Sequence, residues 1–178
     1  QDLGARVERS GTSVLINAAN LHSSSLSQET CNRIRTSILL VAPLLYRMNH
    51  AALYPPGGDV IGRRRLDTHF YGLQKLGAEL KASHPAFDFV LENRFQGQDL
   101  FFDEASVTAT EHILMAAVVA DGTTIIRNAA SEPHVQNLAE MLNAMGAKIS
   151  GIGSNCLTIQ GVDQLHGAEV TIGSDHIE

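Results

Sequence analysis

Between two prolines and a histidine the sequence runs Pro55-Pro56-Gly57-Gly58-Asp59-Val60-Ile61-Gly62-Arg63-Arg64-Arg65-Leu66-Asp67-Thr68-His69. Its side chains suit chemistry on an anion: two carboxylates, three consecutive guanidinium groups and an imidazole. Three glycines and two prolines exclude a regular helix over its first part, and they open backbone conformations that a Cβ disfavours. Only 13 of the 178 residues are Lys or Arg, yet three of them stand side by side. Adjacent arginines repel one another, so an anionic ligand accounts for them, and phosphate matches the planar guanidinium fork especially well. A solvated basic turn is the plain structural alternative. The glycines and the neighbouring acid, Asp59, favour a site.

The rest of the chain must position this stretch. At 178 residues, 44% hydrophobic and 18% charged, it has the material for one core. A formal charge of -6 argues against nucleic acid as a partner, which needs a broad basic surface. The longest apolar run, Ile38 to Tyr46, is interrupted by Pro43 and falls far short of a membrane span. No signal-peptide pattern opens the chain, and Cys31 and Cys156 show no metal-ligand spacing. Free thiols in a reducing cytoplasm, with no metal and no cofactor, are the expectation. The chain starts without Met on what reads as a helix tail and stops at Ser174-Asp175-His176-Ile177-Glu178, which reads as the first turn of another helix. It is expected to be a piece of a longer protein.

An internal repeat organises the elements. Leu3-Gly4-Ala5 recurs as Leu76-Gly77-Ala78 and as Met145-Gly146-Ala147, each where a left-handed Gly would stop a helix. Extended segments follow at Ser13–Ile16, Phe87–Leu91 and Cys156–Ile159, with second short strands expected at Ala168–Ile172 and, less clearly, Leu100–Phe102. Thr30 to Tyr46 reads as one helix with Ile34, Ile38, Val41 and Leu45 inward, and Ser106 to Ala120 as another with Ile113, Leu114 and Ala117 inward. The strands Ala51–Tyr54 and Thr123–Arg127 follow them. A second helix comes after each strand: Asp67 to Leu76 with Asp67 as its cap, and Glu132 to Met145 with Pro133 in its first turn. The unit recurs roughly every 70 residues. The expectation is one partial α/β (α+β) domain over 1–178: strands of a first unit at 1–28, a second unit at about 29–103, a third at about 104–173, and the start of a further helix at 174–178.

Arg33-Ile34-Arg35-Thr36-Ser37-Ile38, the stretch from Pro56 to His69, and Gly122-Thr123-Thr124-Ile125-Ile126-Arg127-Asn128-Ala129-Ala130-Ser131-Glu132-Pro133 together closely resemble the UDP-N-acetylglucosamine enolpyruvyl transferases. The resemblance covers the whole chain. It implies a domain of repeated βαβαββ units with helices inside, here truncated at both ends, and a missing second domain of the same protein as partner. It also implies a reaction, the first committed step of peptidoglycan synthesis in the cytoplasm. The enolpyruvyl group of phosphoenolpyruvate moves to the 3-hydroxyl of UDP-N-acetylglucosamine, releasing phosphate. A proton goes to the methylene carbon, the sugar oxygen attacks the neighbouring carbon, and phosphate leaves, so an acid and several cations are needed.

Carried over residue by residue, the resemblance puts Asp59 at the general-acid position on a mobile loop, where most members carry Cys. Fosfomycin, which alkylates that cysteine, is therefore expected to fail here. Arg64 matches the loop arginine that meets phosphoenolpyruvate, and Arg35 a helix arginine facing both ligands. Arg64, Arg65, Leu66, Asp67 and Thr68 match one nucleotide-sugar stretch; Glu104, Ala105, Ser106 and Val107 match a second at a helix start, suited to a diphosphate. Arg65 stands where the family usually has Pro, and Glu104 where it usually has Lys. The neighbouring arginines should favour the charged form of Asp59, and phosphoenolpyruvate is expected to offset this with its own charge. His69 is expected to pack, cap or touch the uridine side; His112 and His134 are expected on helix surfaces, and Met115, Met141 and Met145 in the core. Asp103 and Glu111 carry no assigned role. Two other functions remain open: a non-catalytic UDP-sugar-binding module, and the related shikimate-pathway transferase, which places its acid elsewhere. The isolated chain is expected to be inactive, because closing the site needs the missing domain.

Overall fold

The computed structural model describes residues 2–58 and 65–175. Asp59, Arg63 and Arg64 lie outside the described residues. Three hairpins mark the repeat. Gly4, Gly77 and Gly146 have φ of +100°, +104° and +98°, the left-handed region in which a Cβ is strained. After each comes an antiparallel pair: β1 (Arg6–Ser10) with β2 (Ser13–Asn17), β4 (Glu79–Ala82) with β5 (Phe87–Val90), and β8 (Lys148–Ser150) with β9 (Cys156–Gln160).

The second and third hairpins each gain strands on their open edge. β3 (His50–Leu53) pairs antiparallel with β5, giving the order β3-β5-β4. β7 (Thr123–Arg127) pairs antiparallel with β9, and β6 (Asp99–Phe101) pairs parallel with β7, giving β6-β7-β9-β8. A single parallel bridge, Ser25 to Ala52, sits beside β3 as β6 sits beside β7. The end of one unit thus docks on the first strand of the next. The strand expected at Ala168–Ile172 does not form: no following strand exists among the described residues to receive it, and Val170 and Ile172 remain 39% and 69% exposed.

The helices lie on the inner side of the sheets. α3 (Asp67–Lys75) sets Phe70 edge-on against Phe87 and Phe89, with ring centroids 4.7 and 5.3 Å apart. Leu73 and Leu76 are fully buried beside them, each contributing about 1.5–3 kcal/mol. α4 (Val107–Ala117) is enclosed on several sides: Ala109, Thr110, His112, Ile113, Leu114, Ala116 and Ala117 are all buried. Neighbouring elements cover α4 on several sides, its polar Thr110 and His112 included, so His112, expected at the surface, is inside. Gly72 lets α3 approach α4, since a Cβ there would come within 2.4 Å of Ile113 Cγ1. α5 (Pro133–Ala144) opens on Pro133 at its start and packs on α4 and β8, burying Val135, Ala139 and Leu142. His134 is exposed, while Met115, Met141 and Met145 are half-buried.

The helix expected over Thr30–Tyr46 is three pieces: α1 (Gln28–Arg33), a 3-10 helix at Arg35–Leu40, and α2 (Val41–Met48). Ile34 breaks it with extended backbone (φ −140°, ψ 135°) and turns outward, 50% exposed, while Ile38, Val41 and Leu45 point inward as expected. Pro43 has no N–H to continue a helix and sits in the first turn of α2, the position that tolerates it. Asp67 is likewise not a cap. Leu66 holds that position without a side-chain bond, and Asp67 is the first helical residue.

Candidate functional site

The break at Ile34 places Arg35 where the glycine-rich stretch enters and leaves. On the entry side, the Gly57 N–H donates to the Cys31 carbonyl at 2.9 Å. A Cβ on Gly57 would lie 2.0 Å from the Asn32 carbonyl oxygen, so only Gly fits flat against the end of α1. Gly58, at φ +97°, packs against the base of the Arg35 side chain. On the exit side, the Arg35 guanidinium donates to the Arg65 carbonyl oxygen at 3.0 Å. One side chain therefore touches both ends of the segment that carries Asp59 and Arg64.

From Arg65 onward, the two predicted nucleotide-sugar stretches meet. Arg65 Nε donates to Asp67 at 2.6 Å, and its Nη2 lies 3.7 Å from Asp103. Thr68, buried at the start of α3, donates its hydroxyl to the other Asp103 oxygen at 3.2 Å. Asp103 thus ties 65–68 to the loop that holds Glu104 and Ala105, both exposed. Ser106 is the N-cap of α4, accepting from the Ala109 N–H, and Val107 is its first residue. With the Ser106 hydroxyl used for capping, the remaining first-turn amides of α4 are the groups at this helix start that the expectation for a diphosphate rests on. Leu66 packs on the core rather than facing outward. Beside these groups lies a cleft lined by Asp67, Thr68, Tyr71, Phe101 and Asp103.

Below the surface runs a second connection. His69 on α3 and His112 on α4 are 2% and 0% exposed, and their Nδ1 atoms lie 3.1 Å apart. The Ala42 N–H donates to His112 Nε2 at 3.1 Å, and His69 Nε2 lies 3.2 Å from the Thr108 hydroxyl. Burial, and after it the positive charge of Arg35, pushes His69 down to about 4. Burial first, then His69, pushes His112 well below its ordinary value. Packing is thus the role taken by His69.

The Gly122–Pro133 stretch supports the second loop from behind. Asn128 adopts φ +57° and donates its side-chain amide to the Phe102 carbonyl at 2.9 Å. The Phe102 N–H in turn donates to the Arg127 carbonyl at 3.0 Å. Thr110 accepts from the Ala130 N–H at 3.0 Å while donating to the Ser106 carbonyl at 2.8 Å. These bonds fix residues 102–106, and Arg127 grips Asp99 with two bonds of 2.8 and 2.9 Å. No group of three or more metal-ligating side chains occurs among the described residues. No helix among them is long and apolar enough to cross a membrane.

The family model for EPSP synthase (3-phosphoshikimate 1-carboxyvinyltransferase) matches residues 1–178, the whole chain. The chain belongs to this family. UDP-N-acetylglucosamine 1-carboxyvinyltransferase of Treponema pallidum is 53% identical over 176 residues, which is 98% of this chain and 41% of that protein. The same-named protein of Bradyrhizobium diazoefficiens is 51% identical over 179 residues, 100% of this chain and 41% of that protein. The chain spans about two fifths of the length of these relatives, one domain of them. Among solved structures, the enolpyruvyl transferase NikO from Streptomyces tendae superposes with a TM-score of 0.74 at 19% identity, over 92% of this chain and 39% of that one. EPSP synthase from Acinetobacter baumannii gives 0.67 at 18% identity, over 96% and 39%. These two likenesses show the enolpyruvyl-transferase fold, which the resemblance of the sequence motifs implied and with which the repeat of helices and strands agreed.

The structure brings Arg35, Arg65, Asp67 and Thr68 together with the 104–107 stretch, while Asp59 and Arg64 lie outside the described residues. Asp103 and His112 carried no sequence-based role. Asp103 directly precedes a predicted binding stretch. His112 follows Thr108 by four residues, on the same helix face, and that spacing was the available signal.

Proposed function

We propose that the protein carrying this chain transfers the enolpyruvyl group of phosphoenolpyruvate to the 3-hydroxyl of UDP-N-acetylglucosamine. Asp59 protonates the methylene carbon while the sugar oxygen, losing its own proton, attacks the neighbouring carbon. Removal of a proton from the new methyl group then restores the double bond as the carbon–oxygen bond to phosphate breaks. Arg64 and Arg35 hold phosphoenolpyruvate; residues 64–68 and 104–107 hold the nucleotide sugar. The observation that carries this reading is the junction made by Arg65, Asp103 and Thr68, which sets the two stretches side by side. What supports the substrate is the 53% identity to a protein named for it. The reaction belongs to peptidoglycan synthesis in the cytoplasm, and the second domain of the same protein closes the site.

The test is phosphate release from phosphoenolpyruvate with UDP-N-acetylglucosamine, measured on the full-length protein and on these 178 residues. Full-length protein should release phosphate and the isolated chain should not. Asp59→Asn should lower turnover by about 10²–10⁴-fold, the usual contribution of a positioned acid. Asp59→Cys should convert the protein from fosfomycin-insensitive to one that forms a covalent adduct in intact-mass analysis. Release with shikimate 3-phosphate instead of the nucleotide sugar would overturn the substrate assignment.

A further inference from the structure

The hydrogen bonds around the two buried histidines leave one proton arrangement. A backbone N–H is always a donor, so His112 Nε2, which faces the Ala42 N–H, must present a lone pair. A neutral His112 then carries its proton on Nδ1 and donates it to His69 Nδ1. His69, accepting there, carries its own proton on Nε2 and donates it to the Thr108 hydroxyl. Three elements are threaded by one directional chain: α2 through Ala42, α4 through His112 and Thr108, and α3 through His69. The charged group whose field reaches His69 is Arg35, and its sign opposes protonation; His112 is kept neutral by burial first, and a proton on His69 would oppose a second one on its neighbour.

The last two members of this chain adjoin the two predicted ligand stretches. His69 follows Thr68 directly, and Thr108 follows Val107. Above it, the exposed ion pairs of Arg65 with Asp67 and Asp103 leave flexible side chains in water. We infer that His69 and His112 are positioning residues: their buried, directional hydrogen bonds hold the starts of α3 and α4 in register, so that residues 65–68 and 104–107 bind one nucleotide sugar together. This rests on the proposed substrate. It adds that affinity for that ligand is set from the core beneath the site.

The experiment uses the full-length protein, with calorimetric titration of UDP-N-acetylglucosamine and long-range proton–nitrogen spectra of the histidine rings. Wild type should show His112 as the Nδ1–H tautomer and His69 as the Nε2–H tautomer, with neither ring titrating between about pH 5.5 and 8. His112→Leu, which keeps bulk but removes both bonds, should weaken the nucleotide sugar by about ten-fold or more, since small displacements of binding groups are costly. Thr108→Val, a milder change at the far end, should weaken it in the same direction. His112→Gln can accept from Ala42 and donate to His69, and should recover most of the loss. Folded His112→Leu and Thr108→Val proteins that bind as tightly as wild type would overturn the inference while leaving the function intact. The opposite tautomer on either ring would overturn it too. Wild type that fails to bind the nucleotide sugar would overturn the functional reading and the ligand half of this inference with it.

Discussion

The same two helix starts are joined twice, once in water and once in the core, by opposite chemistry. The outer junction is charged: Arg65 reaches Asp67 and Asp103, and these side chains are 51%, 63% and 63% exposed. The inner junction is neutral: His69, His112 and Thr108, linked at 3.1 and 3.2 Å. Exposed ion pairs are screened and hold flexible side chains, and they typically contribute about 0–1 kcal/mol. Buried hydrogen bonds work in a low dielectric and leave a costly orphan when one partner is lost. The comparison assigns the two layers different work. On the proposed function, the outer layer offers charge and acceptors to the nucleotide sugar, and the inner layer fixes where they stand.

Acid should separate the layers most strongly. His69 is held near 4 in the fold and would titrate near 6.5 in the unfolded chain. Above pH 6.5 both states are neutral, and the full contribution to stability is present. As pH falls through 6.5 the unfolded chain takes up a proton that the folded one refuses, so stability declines until His69 itself protonates near 4. The difference corresponds to on the order of 3 kcal/mol, and His112, also lowered, acts in the same direction. Urea midpoints between pH 7 and 4 check this, and His69→Gln should flatten the slope. A flat wild-type profile would mean that His69 is not buried and neutral.

The contact that makes the inner layer possible is steric, and breaking it is the next largest effect. Gly72 leaves room for Ile113, whose Cγ1 and Cδ1 would lie 2.4 and 2.5 Å from an added Cβ. Gly72→Ala should destabilise by about 1–3 kcal/mol through overpacking, despite the helix preference for Ala of about 1 kcal/mol. Ile113→Val in the same protein should recover part of the loss, giving a measurable coupling energy. Additive single and double variants would place the strain elsewhere.

Legibility followed the same division. The three left-handed glycines, the strand Thr123–Arg127 and the inward faces of α2 and α4 can be read from local pattern, because turn chemistry and hydrophobic period are local. The match to family motifs singled out Arg35 and residues 65–68, which the structure sets side by side. The bend at Ile34 was not, because it depends on how α1 and the 3-10 helix pack, and Pro43 marked only its neighbourhood. His112 was misread as a surface residue because nothing in Thr108 to Ala117 says that α4 is covered on several sides. Asp103 stayed silent because its partners, Arg65 and Thr68, are 38 and 35 residues away in sequence. The Ala168–Ile172 strand failed for a related reason: alternation predicts the extended backbone, but a strand forms only where an edge receives it.

The smallest effect sharpens the comparison from the outer side. Asp103→Asn removes the charge facing Arg65 at 3.7 Å while leaving an oxygen to accept from Thr68 at 3.2 Å. Stability should therefore fall by less than about 1 kcal/mol. What little is lost should shrink further between about 0.1 and 1 M salt, where the screening length drops from roughly 10 to 3 Å. Thr108→Val, measured in the same series, should be insensitive to salt because it breaks a neutral contact. Ligand affinity supplies the second axis: Asp103→Asn should change nucleotide-sugar binding in a salt-dependent way, and Thr108→Val in a salt-independent one. If Asp103→Asn costs more than about 2 kcal/mol and ignores salt, the outer junction is carrying the structural load. The division of work between the two layers would then be wrong.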